Sequence, residues 1–372
     1  METTHYIWQS SRWPRFTWDT ECLLAKLGEC RLAQGKLLAR ISSLGFAYAE
    51  QARTDILLEE ALTTSAIEGE KLNRDSVRSS IARKLGLPAA GLPHDRSADG
   101  LIDVLLDATQ KYTSALTNDR LFSWHAALFP TGYSGLHKIT VGAWRGPAPM
   151  QVVSGSIGRE TVHFEAMPHD RVAAAMEELL AWWRESPGTL DSIIRAAVAH
   201  FWFVTIHPFE DGNGRIARAL TDMALAEDDR QPMRYYSLSS QINAERKSYY
   251  EILEQSQKSG TDITAWLQWF LGCFDRCITT SEKIMGMVLD KAAFWYRNAH
   301  VELTDRQRKA VNMLLDAGRG GFTGGLTNRK YAAITGVSRA TATRELQHML
   351  ELGIIKANSG RGRSASYDLV WD

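Results

Sequence analysis

Twelve residues, His207 to Arg218, read HPFEDGNGRIAR. They combine a histidine, two acids, an asparagine between two glycines, and two arginines. The preceding segment, SIIRAAVAHFWFVTI, is almost wholly apolar, so it is expected to be a buried helix. His207 therefore leaves the end of a rigid element, which is how a catalytic base is held in place. Gly212, Asn213 and Gly214 let the backbone turn sharply with its amides facing inward, and the turn leads into the helix GRIARALTDMALAE. An amide nest joined to a helix N-terminus is an anion site. Arg215 and Arg218, three apart on that helix, add forked donors suited to phosphate. Asp211 faces the same region, and a carboxylate among phosphates most usefully holds Mg²⁺ or Mn²⁺. The inventory is that of a nucleotide polyphosphate site with a base beside it.

Helical periodicity dominates the elements that must position this loop. Helices are expected near residues 19–43, 48–68, 97–116, 118–128, 170–185, 191–206, 214–226, 244–259 and 263–298, with Gly69 as a left-handed cap after the second. One segment departs from this. MQVVSGSIGRETVHFE, Met150 to Glu165, follows two prolines that forbid a helix and has β-branched residues around a Gly/Ser turn. It reads as a β-hairpin with arms at 150–153 and 161–164. Such a lone hairpin leaves an unpaired edge, a liability or a docking strip for another chain.

At every defined position HPFEDGNGRIAR resembles the Fic motif, HxFx(D/E)GNGRxxR, through His207, Phe209, Asp211, Gly212, Asn213, Gly214, Arg215 and Arg218. The resemblance implies a mainly α chain: a Fic-type helical bundle with a β-hairpin flap. It also implies transfer of AMP from ATP to a Ser, Thr or Tyr hydroxyl. In that reading His207 is the base and Asp211 holds the metal on the phosphates. Gly212, Asn213 and Gly214 form the anion hole, Arg215 and Arg218 bind phosphate, and Phe209 is an apolar anchor. Met150, Gln151, Val152 and Val153 stand where the family's flap aligns a target segment. Tyr249 and Tyr250 resemble an aromatic pair bordering the nucleotide.

TSAIEG, Thr64 to Gly69, resembles the Fic inhibitory pattern (S/T)xxxE(G/N), on a helix spanning about 54–69. Thr64 and Glu68 are four apart and share a helical face. Glu68 would then pair with Arg218 through a fork and take the γ-phosphate's place. Removal of AMP by the same site, with Glu68 orienting a water, is an alternative. So is an ATP-sensing, DNA-binding regulator. WQSSRWPRFTWD, Trp8 to Asp19, resembles the start of a domain that often precedes Fic domains, with its tryptophans as packing anchors or partner contacts.

The last seventy residues restart the pattern: a capping box at Thr304 and Gln307, a helix, a turn at Gly336, a helix capped by Ser338, then two short strands around a basic turn. This order resembles a winged helix-turn-helix domain. Its candidate DNA contacts are Ser338, Arg339, Thr341, Thr343 and Arg344, with Arg361 and Arg363 in the wing. A homodimer would enlarge the small interface of one such domain. From Leu303 to Asp372 there are eleven Lys/Arg against six Asp/Glu, an excess of +5 that leaves −5 on the remainder of a neutral chain. The expected division is therefore 1–95 (N-terminal helices), 96–300 (catalytic) and 301–372 (winged). Cys22, Cys30, Cys273 and Cys277 form no CxxC pair and no zinc spacing, which suits free thiols in a reducing compartment. With no signal peptide or membrane-spanning run apparent, a cytoplasmic protein is expected.

Overall fold

In this computed structural model the described residues are 6–42, 46–86, 95–154, 161–232, 234–358 and 365–371. The helices in chain order are α1 (Thr20–Ser42), α2 (Phe46–Ile67), α3 (Arg74–Lys84), α4 (Arg96–Gln110), α5 (Asn118–Leu128), α6 (His169–Glu185) and α7 (Ser192–Ile206). They continue with α8 (Asn213–Asp229), α9 (Leu238–Ala244), α10 (Arg246–Gln257), α11 (Thr264–Arg297), α12 (Asp305–Ala317), α13 (Asn328–Thr335) and α14 (Arg339–Glu351). The strands are β1 (Tyr133–Ser134), β2 (His137–Lys138), β3 (Gln151–Ser154), β4 (Thr161–Glu165), β5 (Leu326–Thr327), β6 (Ile355–Ala357) and β7 (Ser366–Leu369). The protein is mainly helical, as the periodicity predicts.

Two compact units result among the described residues: one from the N-terminal region through Ser281, the other from Glu282 onward with residues 46–49. In the first, α7 is the spine. All of its residues from Ile193 to Ile206 are buried, and it packs against α8 more extensively than any other pair of elements does. An apolar helix without a polar face can only sit inside a bundle. The expected hairpin is β3 paired antiparallel with β4, Gln151 opposite Glu165, with an irregularity in register between Val152 and Val153.

The second unit has its own core, in which Phe294, Val311, Leu314, Tyr331, Leu346, Ile355 and Leu369 come together. The capping box forms: Thr304 accepts from the Gln307 amide, and Gln307 returns to Thr304. α13 ends on Gly336 at φ +73°, and the Ser338 hydroxyl caps α14. Strands β5, β7 and β6 make a three-stranded antiparallel sheet.

Three local expectations differ from the structure. The helix expected over 97–116 stops at Gln110, because the Arg120 side chain takes the carbonyls of Asp107, Lys111 and Ser114 at 2.7–3.0 Å. α3 was not foreseen, since its buried face mixes Ser76, Ser79 and Ser80 with Val77 and Ile81 and so hides the period. The helix expected over 244–259 is α10, Arg246–Gln257, and a separate short helix, α9, precedes it; the two are divided at Glu245, whose carboxylate is gripped by both Nε and Nη2 of Arg276 at 2.6 Å.

Candidate active site

His207 occupies the C-cap of α7 in the left-handed region, φ 53°, and its amide still bonds to the Phe203 carbonyl at 3.0 Å. That conformation costs energy for a non-glycine residue, so the surroundings must impose it. Arg145 does much of this. Its Nε donates to the His207 carbonyl at 2.9 Å, its amide donates to Pro208 at 2.8 Å, and its Nη2 donates to the Met167 carbonyl. The ring is fixed as well. Nδ1 lies 3.2 Å from the Val204 carbonyl, which assigns the proton to Nδ1 and leaves the lone pair on Nε2. Burial holds the imidazole below its ordinary pKa, so it stays neutral at neutral pH.

The loop beyond it is braced from inside. The Asn213 side chain accepts from the Phe209 amide at 2.9 Å and donates to the Phe209 carbonyl at 2.8 Å. Phe209 is fully buried and stacks on His125 with ring centres 4.2 Å apart. His125 reaches the Asp211 carbonyl at 3.2 Å and accepts from the Gly142 amide, and burial lowers its pKa to about 4. Glu210 accepts from Thr140 and Gly146 on the neighbouring loop. The Asp211 carboxylate is held by the Ser134 hydroxyl and by the Gly212 amide. Gly212, at φ +81°, has no room for a side chain, because a Cβ would come within 2.9 Å of the Phe129 ring.

Across the start of α8 lies the last turn of α2. Arg218, only 2% exposed, donates from Nε to the Thr64 hydroxyl at 2.6 Å. Its Nη2 donates to the Thr64 carbonyl at 2.9 Å and to Glu68 at 2.7 Å. The expected fork onto Glu68 is thus divided between Thr64 and Glu68. Burial works against the guanidinium's charge, but the Glu68 carboxylate and its neighbours hold the pKa above the ordinary value. Nη1 is buried without a hydrogen-bond partner among the described residues. Glu68 fits only because residue 214 is glycine: a Cβ there would lie 2.1 Å from its Oε1. The terminal carbonyls of α2 are also met by cations and hydroxyls, with Arg246 Nε on Ile67 at 2.9 Å and the Tyr250 hydroxyl on the same atom at 3.3 Å. A helix C-terminus carries partial negative charge, so these contacts favour its docking. Gly69 turns the chain at φ +84°. Arg215 pairs with Glu70 at 2.9 Å and lies 3.8 Å from Asp211.

A cavity of about 690 Å³ opens on this arrangement, lined by His207, Gly214, Glu68, Tyr249, Tyr250 and the flap residues Met150 to Val153. Tyr249 is a core residue, its hydroxyl 2.8 Å from His200, whereas Tyr250 is partly exposed. The structure therefore brings together His207, the glycine turn, both arginines, Asp211, Thr64, Glu68, the tyrosines and the flap. In the second unit Ser338, Arg339, Thr343 and Arg344 are exposed on the start of α14 and Thr341 is partly so. Arg361 and Arg363 lie outside the described residues. Arg145, His125 and Ser134 were missed by sequence reading. They stand 62, 86 and 77 positions from the loop residues they hold, with no spacing signal to mark them.

Comparison with known proteins gives two matches along the chain. Residues 115–225 match the family described as Fic/DOC, and residues 6–87 match one described as a domain of unknown function, DUF4172. A protein adenylyltransferase Fic of Nematostella vectensis is 27% identical over 222 residues, 58% of this chain and 46% of that protein. Protein adenylyltransferase fic-1 of Caenorhabditis elegans is 26% identical over 174 residues, 46% of this chain and 32% of that protein. The chain spans a third to a half of the length of these curated relatives. Among solved structures, a Fic family protein from Desulfovibrio desulfuricans superposes with a TM-score of 0.55 at 20% identity, covering 96% of this chain and 98% of the other. A Fic domain containing signaling protein from Bacteroides thetaiotaomicron gives 0.53 at 19%, covering 69% and 97%. Both share the fold.

The Asn213 brace makes a direct prediction. Asn213→Ala leaves the buried Phe209 amide and carbonyl without partners and is expected to lower stability by about 2–4 kcal/mol, read as the denaturant midpoint at unchanged slope. A loss below 0.5 kcal/mol, on the order of an ordinary surface substitution, would contradict the brace.

Proposed function

We propose that this chain, which carries a Fic domain over residues 115–225, transfers AMP from ATP to a hydroxyl of a target protein and is held inactive by Glu68. The observation that carries the reading is the ion pair between Glu68 and Arg218, set over Gly214 at the start of α8 in a cavity shared with His207. Relatives named protein adenylyltransferase support the same chemistry.

The target hydroxyl gives its proton to His207 Nε2 as its oxygen bonds to the α-phosphorus. The bond from that phosphorus to the oxygen bridging to the β-phosphorus breaks, and pyrophosphate leaves. His207 meets the needs of a general base: it is neutral, fixed in tautomer and carried by a rigid helix end. The amides of the glycine turn and the α8 N-terminus favour the phosphate charge. Two buried nitrogens without partners among the described residues, Arg218 Nη1 and Arg215 Nε, fit a polyanion better than a dry site.

No group of three or more possible metal ligands occurs among the described residues. Mg²⁺ does not need one, since it is commonly held by one or two carboxylates and the substrate's phosphates. Asp211, oriented by Ser134, fits that role. The ion would offset phosphate charge when bound.

In the described conformation, the Glu68 carboxylate fills the space over Gly214 through which a terminal phosphate would reach Arg218. The carboxylate keeps the triphosphate from its aligned pose, and in-line attack fails with it. Release of Glu68 is therefore expected to raise transfer by about 10-fold or more, the value of one charged hydrogen bond. With labelled ATP, Glu68→Gly should label itself or lysate proteins strongly, and adding His207→Ala should reduce that by about 10²–10⁴-fold. Label that survives His207→Ala, or no gain from Glu68→Gly, would overturn the mechanism.

The pH dependence has a definite sign. The base must be neutral, and burial lowers its pKa, so activity persists below the ordinary histidine value of about 6.5. The Glu68 charge raises that pKa, so its removal shifts the acid limb further down. A kcat/KM profile of Glu68→Gly should keep its activity at pH 6.5, and an acid limb above pH 7 would contradict the assignment.

The second unit is proposed as a winged helix-turn-helix that binds DNA through α14. Its support is the run of exposed Ser338, Arg339, Thr343 and Arg344 at the start of a capped helix beside a three-stranded sheet. Binding to duplex DNA should weaken steeply with salt. Arg339→Ala or Arg344→Ala should reduce the log–log slope by about 1 for each phosphate no longer neutralised. A flat salt response would point to a protein partner.

A further inference from the structure

The segment around Trp8 falls within a match described only as a domain of unknown function, and the proposed transfer step does not involve it. In the structure it lies along the root of the flap. A short 3-10 turn, Ile7–Gln9, buries Ile7 and Trp8. The Trp8 indole Nε1 donates to the Glu165 carbonyl in β4 at 2.8 Å. Tyr6 meets Phe164 edge-on, with ring centres 5.3 Å apart. Arg171, at the start of α6, places its guanidinium 5.5 Å over the Trp8 ring and donates to the Trp8 carbonyl at 3.4 Å.

The chain then crosses α7, the helix that presents His207. Trp13 and Phe16 pack edge-on against Trp202, and Phe16 also meets Phe201. Thr17 joins the start of α11 through backbone bonds of 2.9 Å with Thr261 and Ile263. One strap thus ties the flap to the helix carrying the base.

Five consecutive residues around the end of β4 are each held separately. His163 contacts Glu254 of α10 at 2.7 Å, Phe164 meets Tyr6, and Glu165 is bonded by Trp8. Ala166 donates to Met150 at 2.9 Å, and Met167 is bonded by Arg145. β3 is treated differently. It pairs with β4 on one side, and its other edge is unpaired among the described residues while its side chains line the cavity with His207. A two-stranded hairpin is marginal by itself, so something must hold it.

We propose that the segment from Tyr6 to Phe16 is a clamp that fixes the height of the β3 edge above His207, making Trp8 a positioning residue for the target strand. A strand added to β3 takes its register from main-chain bonds. A shift of about 1 Å in that strand is enough to lower attack by about 10²-fold. β4 is held so that β3 can present a rigid edge. The activity arm of this inference rests on the adenylyl-transfer reading, whereas the structural arm does not.

The test uses the full chain. Trp8→Phe keeps a ring under Arg171 but removes the indole donor. Amide hydrogen exchange over 150–167 should quicken by about five- to tenfold, as expected for a lost hydrogen bond, with peptides of α7 and α8 unchanged. In the Glu68→Gly background, transfer to protein hydroxyls should fall about tenfold while ATP affinity stays within about twofold. His163→Ala should act in the same direction. Unchanged flap exchange in Trp8→Phe would overturn the clamp whatever His163→Ala does, as would a loss of ATP affinity matching the loss of transfer. If Glu68→Gly transfers nothing, the adenylyl-transfer reading fails, and flap exchange still decides the clamp.

Discussion

A guanidinium that is 2% exposed cannot be left without an anion, and much of the first unit's arrangement follows from that constraint on Arg218. Stripping a partner from a buried ion pair costs about 3–5 kcal/mol. Arg218 sits one turn into α8, where helix geometry already favours negative charge. Two anions compete for it in the proposed mechanism: the carboxylate at the end of α2 and the terminal phosphate of a nucleotide. In that mechanism the brake and the substrate site would be one site seen in two states. Thr64 would make that exchange practicable. Its hydroxyl and carbonyl hold Nε and Nη2 of Arg218, so departure of Glu68 leaves the arginine oriented rather than loose.

The remaining polar network serves to keep the loop from yielding during such an exchange. Asn213 cross-links the turn to Phe209, His125 supports the turn through Asp211, and Arg145 ties the His207 carbonyl to the flap root. None of these groups is aimed at a reacting atom. They convert a glycine-rich turn, which would be mobile in isolation, into a fixed array of amides. The left-handed backbone of His207 is tolerable only inside such a frame. In the proposed mechanism, moving Glu68 would then change the site's occupancy without remaking its geometry.

The parts of this arrangement that could be read from the sequence are those with local periodicity or fixed spacing. The apolar run of α7 announces a buried helix, and the Gly/Ser-interrupted β-branched run announces β3 and β4. The four-residue step from Thr64 to Glu68 puts both on the face that meets Arg218. Long-range supports had no such mark. Arg145 reads as one more loop arginine, His125 as a helix histidine, and Ser134 as a turn residue, yet each reaches the motif across 62 to 86 positions of chain. α3 was hidden because serines fill half its buried face. The division of the Arg218 fork between Thr64 and Glu68 depends on side-chain distances that helical spacing alone does not specify.

The central claim is that Glu68 and the terminal phosphate exclude each other on Arg218, and that this exclusion controls the placement of the α-phosphate. Crystal structures of the wild type and of Glu68→Gly with a non-hydrolysable ATP analogue and Mg²⁺ test it most directly. In Glu68→Gly the γ-phosphate is expected to bond Arg218, with the α-phosphate in line with a hydroxyl position beside His207 Nε2. The wild type should keep Glu68 on Arg218, with the α-phosphate displaced. An identical, aligned phosphate pose in both proteins, with Glu68 still bonded to Arg218, would contradict it.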